Sequence, residues 1–278
     1  MRTRIVTDST AELPASVAAA LDIVVLPQRI QIGSDTYIDD GHLPAPELAK
    51  RLARGREPVR VVPPSPREFS DLYADLSRQA DAIISLHLAS GLNETVQSAN
   101  MARRSILGSC QIHVIDSGLI SHALGLLVTE AAQAAQAGAD GAEVVRLVRG
   151  ALPRIYLAFY AETLDHLRRA GVLPQRRAPA ESGTALKPIF LLEEGHIVKL
   201  HRTRSRGTAV ERLSEFVGEF VGLQDLTILY SSTGPKTEPL EELLAELLPD
   251  QIVRKAMYGP AFAAYVGPNV LGIVAYET

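Results

Sequence analysis

Ala82-Ile83-Ile84-Ser85-Leu86-His87-Leu88-Ala89 runs directly into Ser90-Gly91-Leu92-Asn93-Glu94-Thr95-Val96-Gln97-Ser98-Ala99-Asn100. The apolar run is short enough for a buried strand, and from Thr95 onward Val96, Ala99, Ala102 and Ile106 recur at helical spacing. A second β-branched run, Ile112-His113-Val114-Ile115, follows at once. Strand, helix and strand at this spacing make a βαβ unit, with parallel strands and a right-handed crossover. Ligands of such units sit beyond the strand carboxyl ends, where a helix N-terminus offers unpaired N–H groups and partial positive charge. Ser90 to Thr95 occupies that place. The simpler role for Asn93 is as a helix cap, its side chain accepting from a first-turn amide.

Toward the N-terminus, Arg4-Ile5-Val6-Thr7 is a second strand, followed by Asp8-Ser9-Thr10 and a small helix opened by Pro14. Ile23 to Ile32 reads as one strand, turned by Gly33-Ser34-Asp35 into a hairpin with Tyr37-Ile38. Asp39 and Asp40 have too few companion ligands for a metal and read as a solvated turn. Pro44 to Arg54 is helical and Val59 to Val62 extended. Ser65-Pro66-Arg67-Glu68 matches a capping box with proline at the first helical position. After Ile115, Asp116-Ser117 ends one more strand before a long helix, Leu119 to Ala137. Four strand ends of this half therefore carry Ser or Thr. In a parallel sheet such ends gather along one edge and form a polar, anion-tolerant crevice.

The chain has 278 residues, 46% of them apolar, enough for two domains with buried cores. Its net charge of -4 argues against general nucleic-acid binding, which relies on a basic surface. Cys110 stands alone, so there is no disulfide framework or cysteine zinc site, and a reducing, cytoplasmic setting is expected. No apolar run approaches a membrane span, and the start has no signal-peptide core.

The pattern changes near Pro153, which divides the chain into domains 1–153 and 154–278. In the second, Ile155 to Phe159 is a strand and Glu162 to Arg169 a helix stopped by Gly171. Val172 to Ser182 is a proline- and arginine-rich loop. Lys187 to Leu192 and Ile197 to Arg202 form a hairpin around Glu193-Glu194-Gly195-His196. Helices over Ser205 to Gly222 and Glu238 to Leu247 alternate with strands at Leu226 to Ser231, Ile252 to Ala256 and Leu271 to Tyr276; the stretch from Tyr258 to Asn269 reads as a small-residue segment. The fold class is α/β: an N-terminal parallel-sheet, Rossmann-like domain, then an α/β domain with a mixed sheet.

Dinucleotide, P-loop, metalloprotease and nucleophile-elbow motifs are absent, and His87 and His113 read as core histidines. Arg168, Arg169, Arg176, Arg177, Lys199, Arg202, Arg204 and Arg206 concentrate positive charge early in the second domain. Solvated faces account for much of it; a phosphate-bearing ligand or an enzyme acting on one is an alternative.

Ile5-Val6-Thr7-Asp8-Ser9-Thr10-Ala11-Glu12-Leu13, Leu88-Ala89-Ser90-Gly91-Leu92-Asn93-Glu94-Thr95-Val96-Gln97-Ser98-Ala99 and Val114-Ile115-Asp116-Ser117 together resemble the DegV family. Leu186-Lys187-Pro188-Ile189, Gly195, Arg202-Thr203, Gly259-Pro260 and Gly267-Pro268 carry the resemblance through the chain. It implies a non-catalytic protein that binds one long-chain fatty acid, carboxylate near the domain interface and acyl chain in a buried tunnel. It further implies a bacterial carrier that presents the acid to a separate fatty acid kinase. No cofactor is expected, and a lipid cargo is compatible with transient membrane contact. By this resemblance the ligand-binding residues are Ser9, Val62, Ser90, Asn93, Thr95 and Tyr265, and Arg202 faces the kinase or a phosphate. Burying an acyl chain at ~0.8 kcal/mol per methylene gives strong gross binding, so the head group needs few donors.

The departures concentrate at the head group. Val61-Val62-Pro63-Pro64-Ser65 stands where the family has Thr-Ser-x-Pro-Ser, Asn93-Glu94-Thr95 where it has Ser-Gly-Thr, and Tyr265 where it has histidine. Ala170-Gly171-Val172-Leu173 replaces Gly-Gly-Arg-Ile and removes an arginine. Asn93 and Tyr265 can still donate. The departures also fit a degenerate relative that takes another amphiphile, such as an acyl ester.

Overall fold

A computed structural model describes residues 2–41, 43, 45–55, 57–173 and 187–278. The chain forms two compact units, Met1–Leu43 with Val61–Pro153, and Pro44–Arg60 with Arg154–Thr278.

The first unit is built on four parallel strands: β1 (Thr3–Asp8), β2 (Ile23–Leu26), β6 (Ala82–His87) and β7 (Gln111–Asp116), in the order β2-β1-β6-β7. β6 is buried along its whole length, which is why its sequence is a continuous apolar run instead of an alternation. On one face α3 (Pro66–Ser77) and α4 (Thr95–Arg103) pack through Phe69, Tyr73, Ala99 and Ala102 onto Val6 and Ile83. On the other, α5 (His122–Gln136) packs against β1 and α6 (Gly141–Ala151) against β6. The Ser65–Glu68 capping box starts α3 as read from sequence, with Glu68 N–H donating to Ser65 Oγ and Ser65 N–H to Glu68 Oε2.

From β1 the chain winds outward through α1 (Ala15–Ala20) to β2 on one side; from β6 it winds through α4 to β7 on the other. The two halves diverge between β1 and β6, and ligand crevices of open α/β sheets form at such a point, beyond the strand carboxyl ends.

Ile23 to Ile32 is not one strand. Pro27 breaks it into β2 of the parallel sheet and β3 (Arg29–Ile32), which hairpins with β4 (Asp35–Ile38) in a three-stranded sheet of order β4-β3-β5, with β5 Val59–Val62. A proline cannot donate to a ladder, so the run ends there. β5 thus ends away from the parallel sheet, and the polar edge expected from four strand ends is not assembled as read. Ser65 at its end caps α3.

The second unit carries a mixed sheet of order β10-β9-β8-β13-β11-β12. Its strands are β8 (Ile155–Ala161), β9 (Ile189–Glu193), β10 (His196–His201), β11 (Leu223–Tyr230), β12 (Val253–Met257) and β13 (Val270–Glu277); only β11 and β12 run parallel. The β9–β10 hairpin turns at Glu194-Gly195, both at positive φ, the two-residue turn whose twist matches the strands. α8 (Arg206–Val217) and α9 (Glu238–Leu247) cover one face through Val210, Leu213, Leu240 and Leu244. On the sheet, Phe159 stacks with Phe190 and meets Phe262 edge-on.

Phe262 belongs to α10 (Pro260–Val266), a helix read from sequence only as a small-residue segment. Pro260 opens it at a position where a missing N–H costs nothing. α10 packs on α2 (Ala45–Arg54) and on the short α7 (Asp165–Arg169). That contact is why residues 44–60, assigned from sequence to the first domain, belong to the second unit. Pro44, Leu186 and the stretch holding Arg176 and Arg177 lie outside the described residues. Among the described residues no helix is long and apolar enough to cross a membrane.

Candidate functional site

Asp8 closes β1 and is fully buried. The register pairs Val6 with Ser85, which brings Asp8 level with His87 at the end of β6. Asp8 Oδ2 accepts from His87 Nδ1 at 3.0 Å and from the Leu88 amide at 3.1 Å; its Oδ1 accepts from the Thr10 amide at 3.1 Å and the Thr10 hydroxyl at 2.6 Å. This carboxylate therefore ties two strand ends together and caps the 3-10 turn Ser9–Ala11. Burial works to raise its carboxyl, but the hydrogen bond from His87, with those from Thr10 and the Leu88 amide, holds it below the ordinary carboxylate range.

With Nδ1–H spent on Asp8, His87 Nε2 accepts from Ser85 Oγ at 2.7 Å, and Ser85 Oγ accepts from Tyr73 at 2.8 Å. The order Asp, His, Ser matches a nucleophilic triad in composition. Ser85 is fully buried and already receives the Tyr73 hydroxyl, so the chain of bonds is a strut of the core.

The capped turn sets Ser9 directly after the carboxyl end of β1. Ser9 Oγ donates to Asp39 Oδ2 at 2.8 Å and accepts the Gln28 N–H at 3.0 Å. The Gln28 side chain continues the network: Nε2 donates to Thr95 Oγ1 at 2.9 Å, and Oε1 accepts from Asn93 Nδ2 at 3.1 Å. Asn93 Oδ1 in turn accepts the Thr95 hydroxyl at 2.7 Å and the Thr95 amide at 3.0 Å. Gln28, Asn93 and Thr95 thus close a ring, and all three are buried.

Of the residues named from sequence, Ser9, Asn93 and Thr95 meet in this cluster. The capping alternative for Asn93 is not what the structure has: Glu94 is the N-cap of α4 and makes no side-chain cap bond, while Asn93, one residue earlier, accepts the Thr95 amide in a local turn and joins its own amide group to Gln28. Ser90 is exposed, its N–H donating to Asp116 at 3.1 Å. Ser117, at the end of β7, turns inward and donates to the His87 carbonyl at 2.6 Å. Val62 is half-buried at the end of β5; Tyr265 is buried on α10 and Arg202 exposed after β10, both in the second unit.

Sequence reasoning missed Gln28 and Asp39. Gln28 hid inside an apparent strand, although the preceding proline marks the break. Asp39, read as a solvated turn residue, is 8% exposed. Burial raises its carboxyl to about 6, opposed by the Ser9 hydrogen bond and assisted by the charges of Asp8 and Asp40. Among the described residues no group of three His, Cys, Asp or Glu side chains is placed to hold a metal.

In the second unit an apolar cleft of about 130 Å³ lies between α2 and α10, lined by Leu48, Ala49, Leu52, Tyr258, Pro260 and Ala263 among others. The basic cluster there is partly neutralised from within. Lys187 and Arg206 both pair with Glu162, Arg168 stands 3.9 Å from Asp165, and Arg169 donates to His166 at 2.8 Å.

A sequence model described as "Uncharacterised protein, DegV family" matches residues 2–278. A DegV domain-containing protein of Streptomyces coelicolor is 31% identical over 274 residues, 97% of this chain and 96% of its own. One from Deinococcus radiodurans is 28% identical over 276 residues, 98% of each chain. Among solved structures, a DegV family protein from Thermus thermophilus, described for its fatty acid binding, matches over the full length of both chains with a TM-score of 0.85 and 25% identity. A fatty acid binding DegV family protein from Streptococcus agalactiae matches with a TM-score of 0.90 and 25% identity, over 100% of this chain and 99% of its own. On a full-length family match and a relative above 30% identity, the chain belongs to the DegV family.

Proposed function

We propose that this protein binds a long-chain fatty acid and carries it without chemical change. The observation that supports this most directly is the ring of Gln28, Asn93 and Thr95 with Ser9 beside it, next to the strand ends where the parallel sheet divides. Neutral donors there, with the first amides of α4, suit a carboxylate. Within the second unit, the cleft beside α10 has an apolar lining of the kind an acyl chain needs. The Thermus and Streptococcus relatives, described as binding fatty acids, support the same ligand class. In this reading Val62, Ser90 and Tyr265 complete the ligand contacts, and Arg202 faces a kinase that receives the acid. Organic extraction of the purified protein followed by mass spectrometry finds about one fatty acid per chain; protein that is empty from every preparation overturns the reading.

A second reading, an uncharged amphiphile such as an acyl ester, is favoured by one observation: the ring spends much of its hydrogen-bonding capacity on itself. Equal affinity for a fatty acid and its methyl ester supports it.

A further inference from the structure

Ser9 is where the polar cluster meets a buried carboxyl group. Its hydroxyl has one hydrogen and two lone pairs. The hydrogen goes to Asp39 at 2.8 Å and one lone pair receives the Gln28 N–H at 3.0 Å. While Asp39 is ionised, Ser9 therefore presents a ligand with a lone pair and no proton. A protonated Asp39 reverses the bond. Its O–H donates to Ser9 Oγ, both lone pairs are then filled, and the Ser9 hydrogen is released to donate elsewhere. The same protonation removes a negative charge from beside the cluster.

Resting on the fatty-acid reading, the geometry points to Asp39 as the positioning residue that controls head-group binding: neutral, it turns the Ser9 proton toward an anionic carboxylate; ionised, it keeps that proton and sets a negative charge beside the cluster, which opposes a carboxylate more than an uncharged head group such as an ester. The charged groups around it reinforce the neutral state. Asp8, at the end of β1, faces it with a carboxylate bound to His87, Thr10 and Leu88, and Asp40 is next along the chain. Arg29 of β3 pairs with Glu68 instead, and no cation among the described residues pairs with Asp39. Burial beside these charges holds its carboxyl near 6, so the exchange falls within an accessible pH range.

The test uses the full chain stripped of lipid, titrated calorimetrically with laurate and with methyl laurate between pH 5 and 8. Wild-type affinity for laurate, divided by that of Asp39→Asn, falls about tenfold between pH 5 and 7, as strict coupling to a single proton requires. The ratio cancels the titration of laurate itself. Asp39→Asn keeps the low-pH behaviour throughout, because its amide can donate to Ser9, and methyl laurate shows no such fall. Ser9→Ala is the second variant, which carries the test should Asp39→Asn fail to fold: it loses the pH dependence that wild type shows relative to methyl laurate. Binding with parallel pH profiles in wild type and variants overturns the assignment of Asp39 and leaves the fatty-acid reading standing. No laurate binding by any of the proteins at any pH overturns both.

Discussion

Asp8 Oδ2 and His87 Nδ1 stand 3.0 Å apart, both fully buried, at the ends of adjacent parallel strands. Removing one partner strands the other's polar atoms where water cannot reach them. His87→Ala lowers stability by about 3–5 kcal/mol, the cost typical of breaking a buried pair. Urea unfolding at neutral pH measures it; a loss under about 1 kcal/mol contradicts the role given to this pair.

The Asp8 and Asp39 carboxyls act on stability in opposite pH windows. Asp8 is depressed in the fold, so its contribution is present above the ordinary range and is lost as pH falls through its folded value. Asp39 is raised from 3.8 to about 6, so its contribution is present below 3.8 and is lost as pH rises through about 6. Asp39→Asn therefore stabilises the protein at pH 8 relative to its effect at pH 4, by an order of about 3 kcal/mol for a shift of roughly two units. Thermal melts of both proteins across that range check the sign; a gap that does not widen with pH refutes it.

Asn93→Ala breaks the ring at two atoms and leaves Gln28 without a donor. Retention of fatty acid weakens by about 1–3 kcal/mol, the cost of a lost hydrogen bond to a charged group together with a neighbour left unsatisfied. Gln28→Ala should do as much, and Tyr265→Phe is expected to weaken retention too. Equilibrium exchange of labelled palmitate at matched folded fraction gives the values, and unchanged retention in all three removes them from the site.

Ala49 is half-buried at the wall of the cleft between α2 and α10. Ala49→Phe fills much of about 130 Å³. Palmitate retention falls while that of octanoate is preserved, because only a long chain needs the far end of an apolar lining. An equal effect on both acids places the acyl chain elsewhere.

Gly267 caps α10 at a φ of +93°, and a Cβ added there would stand 2.4 Å from His166 Cδ2. Gly267→Ala faces a strained backbone and a buried ring that cannot retreat freely, at a cost of about 2 kcal/mol or more. Denaturant unfolding measures it, and a neutral result shows that α7 and α10 yield at that contact.

Elements whose pattern is local were legible in the residues themselves. The buried run of β6, the capping box of α3 and the Glu194-Gly195 turn each need only neighbours in sequence. Ser9, Asn93 and Thr95 were legible because they follow strand ends, which a parallel sheet brings together. Gln28 and Asp39 were not, since each acquires its role from a partner far along the chain. Asp39 depends on Ser9 and on the Gln28 carbonyl that receives its N–H at 2.9 Å. Nothing in Asp39-Asp40 distinguishes a buried acid from a solvated one. α10 was missed because alanine-rich, fully buried helices have no polar face to set a period.

Residues 44–60 leave the first unit, complete part of the second, and return on β5. During synthesis the apolar side of α2, with Leu48 and Leu52, emerges about two hundred residues before α10, the helix it packs against. Neither unit is therefore one uninterrupted stretch of chain. A fragment cut at Pro153 would carry α2 without its seat, and the fragment after it would lack a wall. Expression of either half alone is expected to yield sticky, proteolysis-prone protein, while the two halves produced together can reassemble around α2.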